Sequence, residues 1–248
     1  MNDADRDFLA NQKLDEGLNL YYDGDYNGMI KICNEAIKLN PTLYGAYFYR
    51  GLSYHGLNQY EKAIQDYNKA IQLNPGNNLE YLYFSLGITY EHLRQHDLSI
   101  KSFDKTIQLN PNLWQAYTVR GISYAQLNQY VQAIQDFNKA IQLNPNSLTY
   151  IIRGVIYVDL KQYDVAIQDF NNAILLNPNH VEAYIMRGCA YAFKKNFKSA
   201  IDDETKAIQL DPNNARAYNF RGLFYKLNGE EAKSQADLSK SKALGFKD

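Results

Sequence analysis

Apolar residues recur along this chain at intervals of three and four, stop at a short polar break, and resume with the same spacing. That spacing puts them on one face of an α-helix. A break such as Leu57-Asn58-Gln59 separates two such stretches. The pattern therefore predicts a helix A, a turn and a helix B. The pair itself repeats. Gly17, Gly51, Gly87, Gly121, Gly154, Gly188 and Gly222 follow one another at steps of 33 to 36 residues. Pro41, Pro75, Pro111, Pro145, Pro178 and Pro212 each stand 24 residues after one of these glycines. A period of this size is that of stacked units in a solenoid.

Counting each unit from seven residues before its glycine gives repeats 10–43, 44–77, 80–113, 114–146, 147–180, 181–214 and 215–248, with residues 1–9 as a lead-in. The repeats are expected to form a single domain. Position 4 holds Tyr47, Tyr83, Tyr117, Tyr150, Tyr184 and Tyr218, and position 11 holds Tyr54, Tyr90, Tyr124, Tyr157, Tyr191 and Tyr225. Two helical turns separate these positions, so both lie on one face. Glycine at position 8 removes a side chain where helices must approach closely. Alanine at positions 20 and 27 does the same on helix B. Proline at position 32 drives the preceding Asn or Asp out of the α region, so helix B should stop there. Position 7 is Arg and position 23 is Asp in the same five repeats; repeats 1 and 3 lack both. That co-occurrence predicts an Arg–Asp contact inside each unit, tying helix A to helix B.

An aromatic at 4, Gly at 8, Tyr at 11, Ala at 20, an aromatic at 24, Ala at 27 and Pro at 32 resemble the tetratricopeptide repeat, with Tyr47 to Pro75 matching nearly every position. The resemblance covers essentially the whole chain. It implies an all-α fold: a right-handed superhelical α-solenoid of seven antiparallel helix-turn-helix repeats, with a concave wall of A helices that binds peptides or partner proteins. Repeat 1 departs from the pattern with Lys13 and Leu20. Repeat 7 departs with Ser234, Ser241 and Phe246. Its polar second helix reads as a C-terminal cap.

The resemblance also implies that positions 2, 5, 9 and 12 of helix A face the groove. The expected protein-binding residues are Tyr21 in repeat 1, then Phe48, Leu52 and His55, then Tyr81, Phe84, Ile88 and Glu91. The stripe continues through Thr118, Ile122, Ile151, Val155, Ile185, Cys189, Asn219 and Leu223. Packing positions account for most of the 22 tyrosines. The surplus, Tyr21, Tyr22, Tyr44, Tyr49 and Tyr81, falls in the first three repeats. The groove is thus expected to be apolar, and aromatic toward its N-terminal end. Phe48, Leu52, Tyr81, Phe84 and Ile88 would be anchors, with His55, Glu91 and Asn219 setting orientation.

Other chemistry narrows the reading. Net charge is −1 and pI about 6.4, without the basic footprint of a nucleic-acid or anionic-membrane binder. No secretory leader or membrane-spanning run is visible. Cys33 and Cys189 lie too far apart in an extended array to form a bridge. A reduced, cytoplasmic protein is expected. Position 5 carries no lysine, so the carboxylate clamp of chaperone-binding relatives is absent. His92 and His96 have metal-like spacing, but His96 sits where other repeats place Tyr or Phe, and it reads as packing. Cys189 has no base beside it in the frame, and no Ser/His/Asp set is brought together. No metal, cofactor or catalysis is expected. The function expected is a non-enzymatic scaffold or adaptor holding a peptide or helical segment; docking on an enzyme through the convex face is the alternative. Glu204 stands out. It occupies position 24, an aromatic slot, and needs either a wetter site or a cation such as Arg221.

Overall fold

In the computed structural model of the protein, which describes residues 2–74, 76 and 78–246, the repeated pattern folds as fourteen helices, with no strand among the described residues. They alternate as A and B helices. The first six are α1 (Asp3–Tyr22), α2 (Tyr26–Leu39), α3 (Tyr44–Gly56), α4 (Tyr60–Leu73), α5 (Leu79–His92) and α6 (His96–Leu109). Then come α7 (Trp114–Gln126), α8 (Tyr130–Leu143), α9 (Ser147–Asp159) and α10 (Tyr163–Leu176). The last four are α11 (Val181–Phe193), α12 (Phe197–Leu210), α13 (Ala215–Leu227) and α14 (Glu231–Ala243). Residues 3–9 form the first turns of α1. The chain forms two compact units, one ending at Asp136 and one beginning at Phe137. In each unit successive helices pack on one another, and A helices also touch the next A helix: α1, α3, α5 and α7 in the first, α9, α11 and α13 in the second.

B helices end where the sequence predicts. Asn40, Asn110, Asn177 and Asp211, each followed by proline, leave the α region with φ between −140° and −131° and ψ between 91° and 98°. α4 likewise stops at Leu73, with Asn74 extended at φ −78° and ψ 124°; Pro75 itself and the end of repeat 7 at Asp248 lie outside the described residues. The A–B turns follow one plan. The residue at position 16 donates its N–H to the carbonyl of position 11, as in Gln59 to Tyr54 (2.8 Å) and Glu230 to Tyr225 (2.8 Å). Position 15 is left-handed in all seven turns, at Gly24, Asn58, Arg94, Asn128, Lys161, Lys195 and Gly229. This is the helix-ending Schellman motif.

The repeated glycine has a specific neighbour. A Cβ on Gly51 would stand 2.7 Å from the Tyr67 ring, one on Gly87 2.9 Å from Phe103, and one on Gly154 2.7 Å from Phe170. Position 24 of helix B thus presses its ring onto the bare backbone of helix A. Tyr67, Phe103 and Phe170 are wholly buried, each stabilising the fold by roughly 2–3 kcal/mol on area grounds.

The Arg–Asp contact is present in every repeat with both residues. Arg50 grips Asp66 by Nε and Nη2 at 2.7 Å each. Arg120 holds Asp136, Arg153 holds Asp169, Arg187 holds Asp203 and Arg221 holds Asp237 in the same fork. The remaining Nη1 reaches position 25 of the preceding repeat: Asn34 from Arg50, Asp104 from Arg120, Asn138 from Arg153, Asn171 from Arg187 and Thr205 from Arg221. Each guanidinium also lies over the position-4 tyrosine, 5.3 to 5.7 Å from its centroid. One arginine therefore joins three helices from two repeats.

Candidate functional site

The A-helix face of the first compact unit opens into a cleft of about 510 Å³. Phe48 from α3 and Tyr81 and Phe84 from α5 line it. A smaller cavity of about 180 Å³ adjoins it, lined by Leu52, His55, Tyr67, Phe84, Ser85 and Ile88. Phe84 and Ser85 belong to both. Helical phase explains the grouping. Positions 5, 9 and 12 follow one another by four and three residues, so they share one side of their helix.

Four rings form a series, and Phe84 makes a separate pair. Tyr21 lies 6.1 Å from Tyr49, Tyr49 lies 5.5 Å from Phe48, and Phe48 lies 6.1 Å from Tyr67. Phe84 meets Phe103 edge-on at 5.5 Å. Such pairs add about 0.5–1.5 kcal/mol beyond area burial. Tyr81 stays 52% exposed, so the cleft shows an aromatic face to solvent.

Neither cavity is lined by an acidic or basic side chain other than His55. Thr89 gives its proton to the Ser85 carbonyl (2.7 Å), so it accepts from His55 Nδ1 at 2.9 Å. Burial, and then His92, lower the His55 pKa, which keeps the ring neutral at pH 7. Tyr67 is wholly buried and its hydroxyl has no well-formed hydrogen bond among the described residues. Burial raises its pKa, with nearby Thr89 opposing.

Several expected residues serve elsewhere. Glu91 accepts from Ser123 at 2.6 Å and sits 3.2 Å from His96 Nδ1, so its carboxylate is engaged inside the protein. Thr118, Ile151, Ile185 and Asn219 were expected on the groove but are buried. In the second unit the cause is visible: Ile151 packs with Ala166, Ile167 and Phe170, and Ile185 with Tyr184, Ala207 and Ile208. Ile122, Val155 and Cys189 are half-buried, and Leu223 is exposed. Burial pushes the Cys189 thiol up to about 12, so no reactive thiolate stands there at neutral pH. Leu223, Cys189, Phe193 and Leu227 line a separate apolar hollow of about 440 Å³ in the second unit.

The sequence reading missed Tyr44, Tyr49 and Asn78, which also line the larger cleft. The tyrosine surplus in the early repeats was the signal for Tyr44 and Tyr49, at positions 1 and 6 outside the expected stripe; Asn78, between two repeats, had none. Among the described residues, no cluster of three or more His, Cys, Asp or Glu side chains could hold a metal. No helix among them is long and apolar enough to cross a membrane.

Known proteins complete the picture. The tetratricopeptide repeat pattern matches residues 44–77, 81–113, 114–147, 148–180 and 181–214. Sperm-associated antigen 1 of Rattus norvegicus is 30% identical over 77 residues, which are 31% of this chain and 8% of that protein. The chain thus spans about a tenth of the length of the curated relatives it matches. Among solved structures, the C-terminal part of a TPR repeat-containing protein from Cytophaga hutchinsonii superposes with a TM-score of 0.78 at 20% identity, covering 94% of this chain and 95% of that one. YrrB, described as a TPR protein with an unusual peptide-binding site, superposes with a TM-score of 0.58 at 23% identity, covering 72% and 92%. With a repeat pattern spanning residues 44 to 214 and the helix pairs to match, the chain belongs to the tetratricopeptide repeat family.

Proposed function

We propose that this protein is a non-enzymatic scaffold that holds an apolar peptide segment of a partner protein against the A helices of its first three repeats. The cleft of about 510 Å³ carries this reading, because Phe48, Tyr81 and Phe84 converge in it from two repeats. Phe48 and Phe84 pack one edge onto Tyr67 and Phe103 of helix B, and an aromatic surface that stays open beyond such packing suits a ligand. Leu52, Ile88 and His55 extend the same surface. YrrB offers a fold-level parallel.

Phe48→Ala with Phe84→Ala tests this. Capture from a lysate, followed by mass spectrometry, should recover a partner with the unaltered protein and lose it with the double variant. Retention of the partner by the double variant would move the working surface to the opposite face of the repeats. Circular dichroism of the variant must match the parent, since Phe84 also packs on Phe103.

A further inference from the structure

We infer that the occupant of the cleft is a proline-rich segment in the polyproline II conformation; the inference rests on the peptide-binding reading above. Three observations converge. First, the site is aromatic and uncharged: Tyr44, Phe48, Tyr49, Tyr81 and Phe84 line it, and no acidic or basic side chain does. A charged segment would lose hydration there without a partner. Proline brings apolar ring surface and no charge. Second, the hydroxyls of Tyr44, Tyr49 and Tyr81 make no hydrogen bond to the described residues. Tyr47, Tyr60, Tyr117, Tyr130 and Tyr184, outside the cleft, each donate their hydroxyl to the chain itself, as Tyr47 does to the Pro41 carbonyl and Tyr60 to Asn58. Free donors beside rings suit a ligand with many acceptors and few donors. A polyproline II chain is that ligand, because its carbonyls have no internal partners and its prolines have no N–H. A helical ligand would satisfy its own carbonyls and leave the three hydroxyls unused.

Third, the spacing agrees. α3 packs against α5, and packed helices lie about 8–10 Å apart. A polyproline II helix repeats every three residues, about 9 Å. Prolines on one edge would then meet rings of successive A helices, Phe48 on α3 and Tyr81 with Phe84 on α5. The preformed ligand loses little conformational freedom on docking, as in other aromatic-lined polyproline grooves.

The test uses the whole chain and three capped nine-residue probes: an oligoproline, an alanine-based helical peptide and a Gly-Ser peptide. Amide chemical-shift titration reads binding. The oligoproline should move amides of α3 and α5 and bind more tightly than either control. Tyr81→Ala, at an exposed ring whose loss leaves the packed interior unchanged, should weaken oligoproline binding roughly tenfold. An oligoproline no tighter than the Gly-Ser control, preference for the helical peptide, or indifference to Tyr81→Ala would each overturn the inference. If the oligoproline fails while partner capture still depends on Phe48 and Phe84, only this inference falls. If capture is indifferent to both phenylalanines, the wider reading falls with it.

Discussion

Glu204 sits where Tyr67, Phe103 and Phe170 sit in their repeats, pressed onto Gly188 at the place of a ring. It is wholly buried, and neither carboxyl oxygen has a hydrogen-bond partner among the described residues. The cation suggested by sequence does not reach it: Arg221 is forked onto Asp237 and touches Thr205. Burial first, then Asp203, push its pKa up to about 9, with Arg216 and Arg221 opposing and Glu182 reinforcing. The folded protein therefore holds a proton that the unfolded chain releases above about pH 4.5. Stability falls as pH rises through that window and levels off above pH 9. At pH 7 the cost is about 3 kcal/mol. Glu204→Phe should raise Tm by several degrees at pH 7 and flatten the dependence of Tm on pH between 5 and 9. A fall in Tm would show that the carboxyl is paired and structural. The sequence made this residue conspicuous, but its isolation depended on where Arg221 went.

Two features of the repeat act at the scale of helices and turns. The left-handed residue at position 15 ends helix A in every repeat, yet Arg94, Lys161 and Lys195 carry a Cβ there at φ of 56° to 62°. That conformation costs a side-chain-bearing residue about 1–2 kcal/mol. Lys195→Gly relieves it and returns part of the gain to the unfolded chain, for a net stabilisation of about 0.5 kcal/mol. The denaturation midpoint should rise with an unchanged m-value, and a lower midpoint would contradict the turn geometry. The arginine fork was legible in sequence because Arg and Asp appear and vanish together. Its third contact, to the preceding repeat, was not, since position 25 varies among Asn, Asp and Thr. Arg187→Lys should cost about 2–4 kcal/mol in urea unfolding. An ammonium cannot serve Asp203 twice and Asn171 once, and Asp203 is buried, with burial already raising its pKa. A loss below about 0.5 kcal/mol would reduce the fork to a surface ion pair.

At the scale of the molecule, stability is a sum of helix pairs and the contacts between neighbouring repeats. Repeat 7 illustrates this. Ala217, Tyr218 and Phe220 of α13 cover Tyr184, Ile185 and Ile208 of the repeat before. A chain ending at Leu210 should therefore lose several degrees in Tm and associate at lower concentration, as scanning calorimetry and light scattering would show. A truncated chain as stable and monodisperse as the parent would deny α13 and α14 the role of a cap.

Sequence by itself determined the helices, their stops, the glycine contacts and the arginine forks, because each depends on residue types recurring at a fixed interval within one or two repeats. The family resemblance, laid on that period, also placed Phe48, Tyr81 and Phe84 on the expected stripe. Only the tertiary structure decided which members of the stripe remain open. Position 5 carries Phe48 and Phe84 at a cleft, but Ile151 and Ile185 inside the core. The phase of a helix fixes the direction in which a side chain points. Whether water or another side chain meets it there depends on the bulk of neighbours contributed by other helices, and no repeat encodes its neighbours.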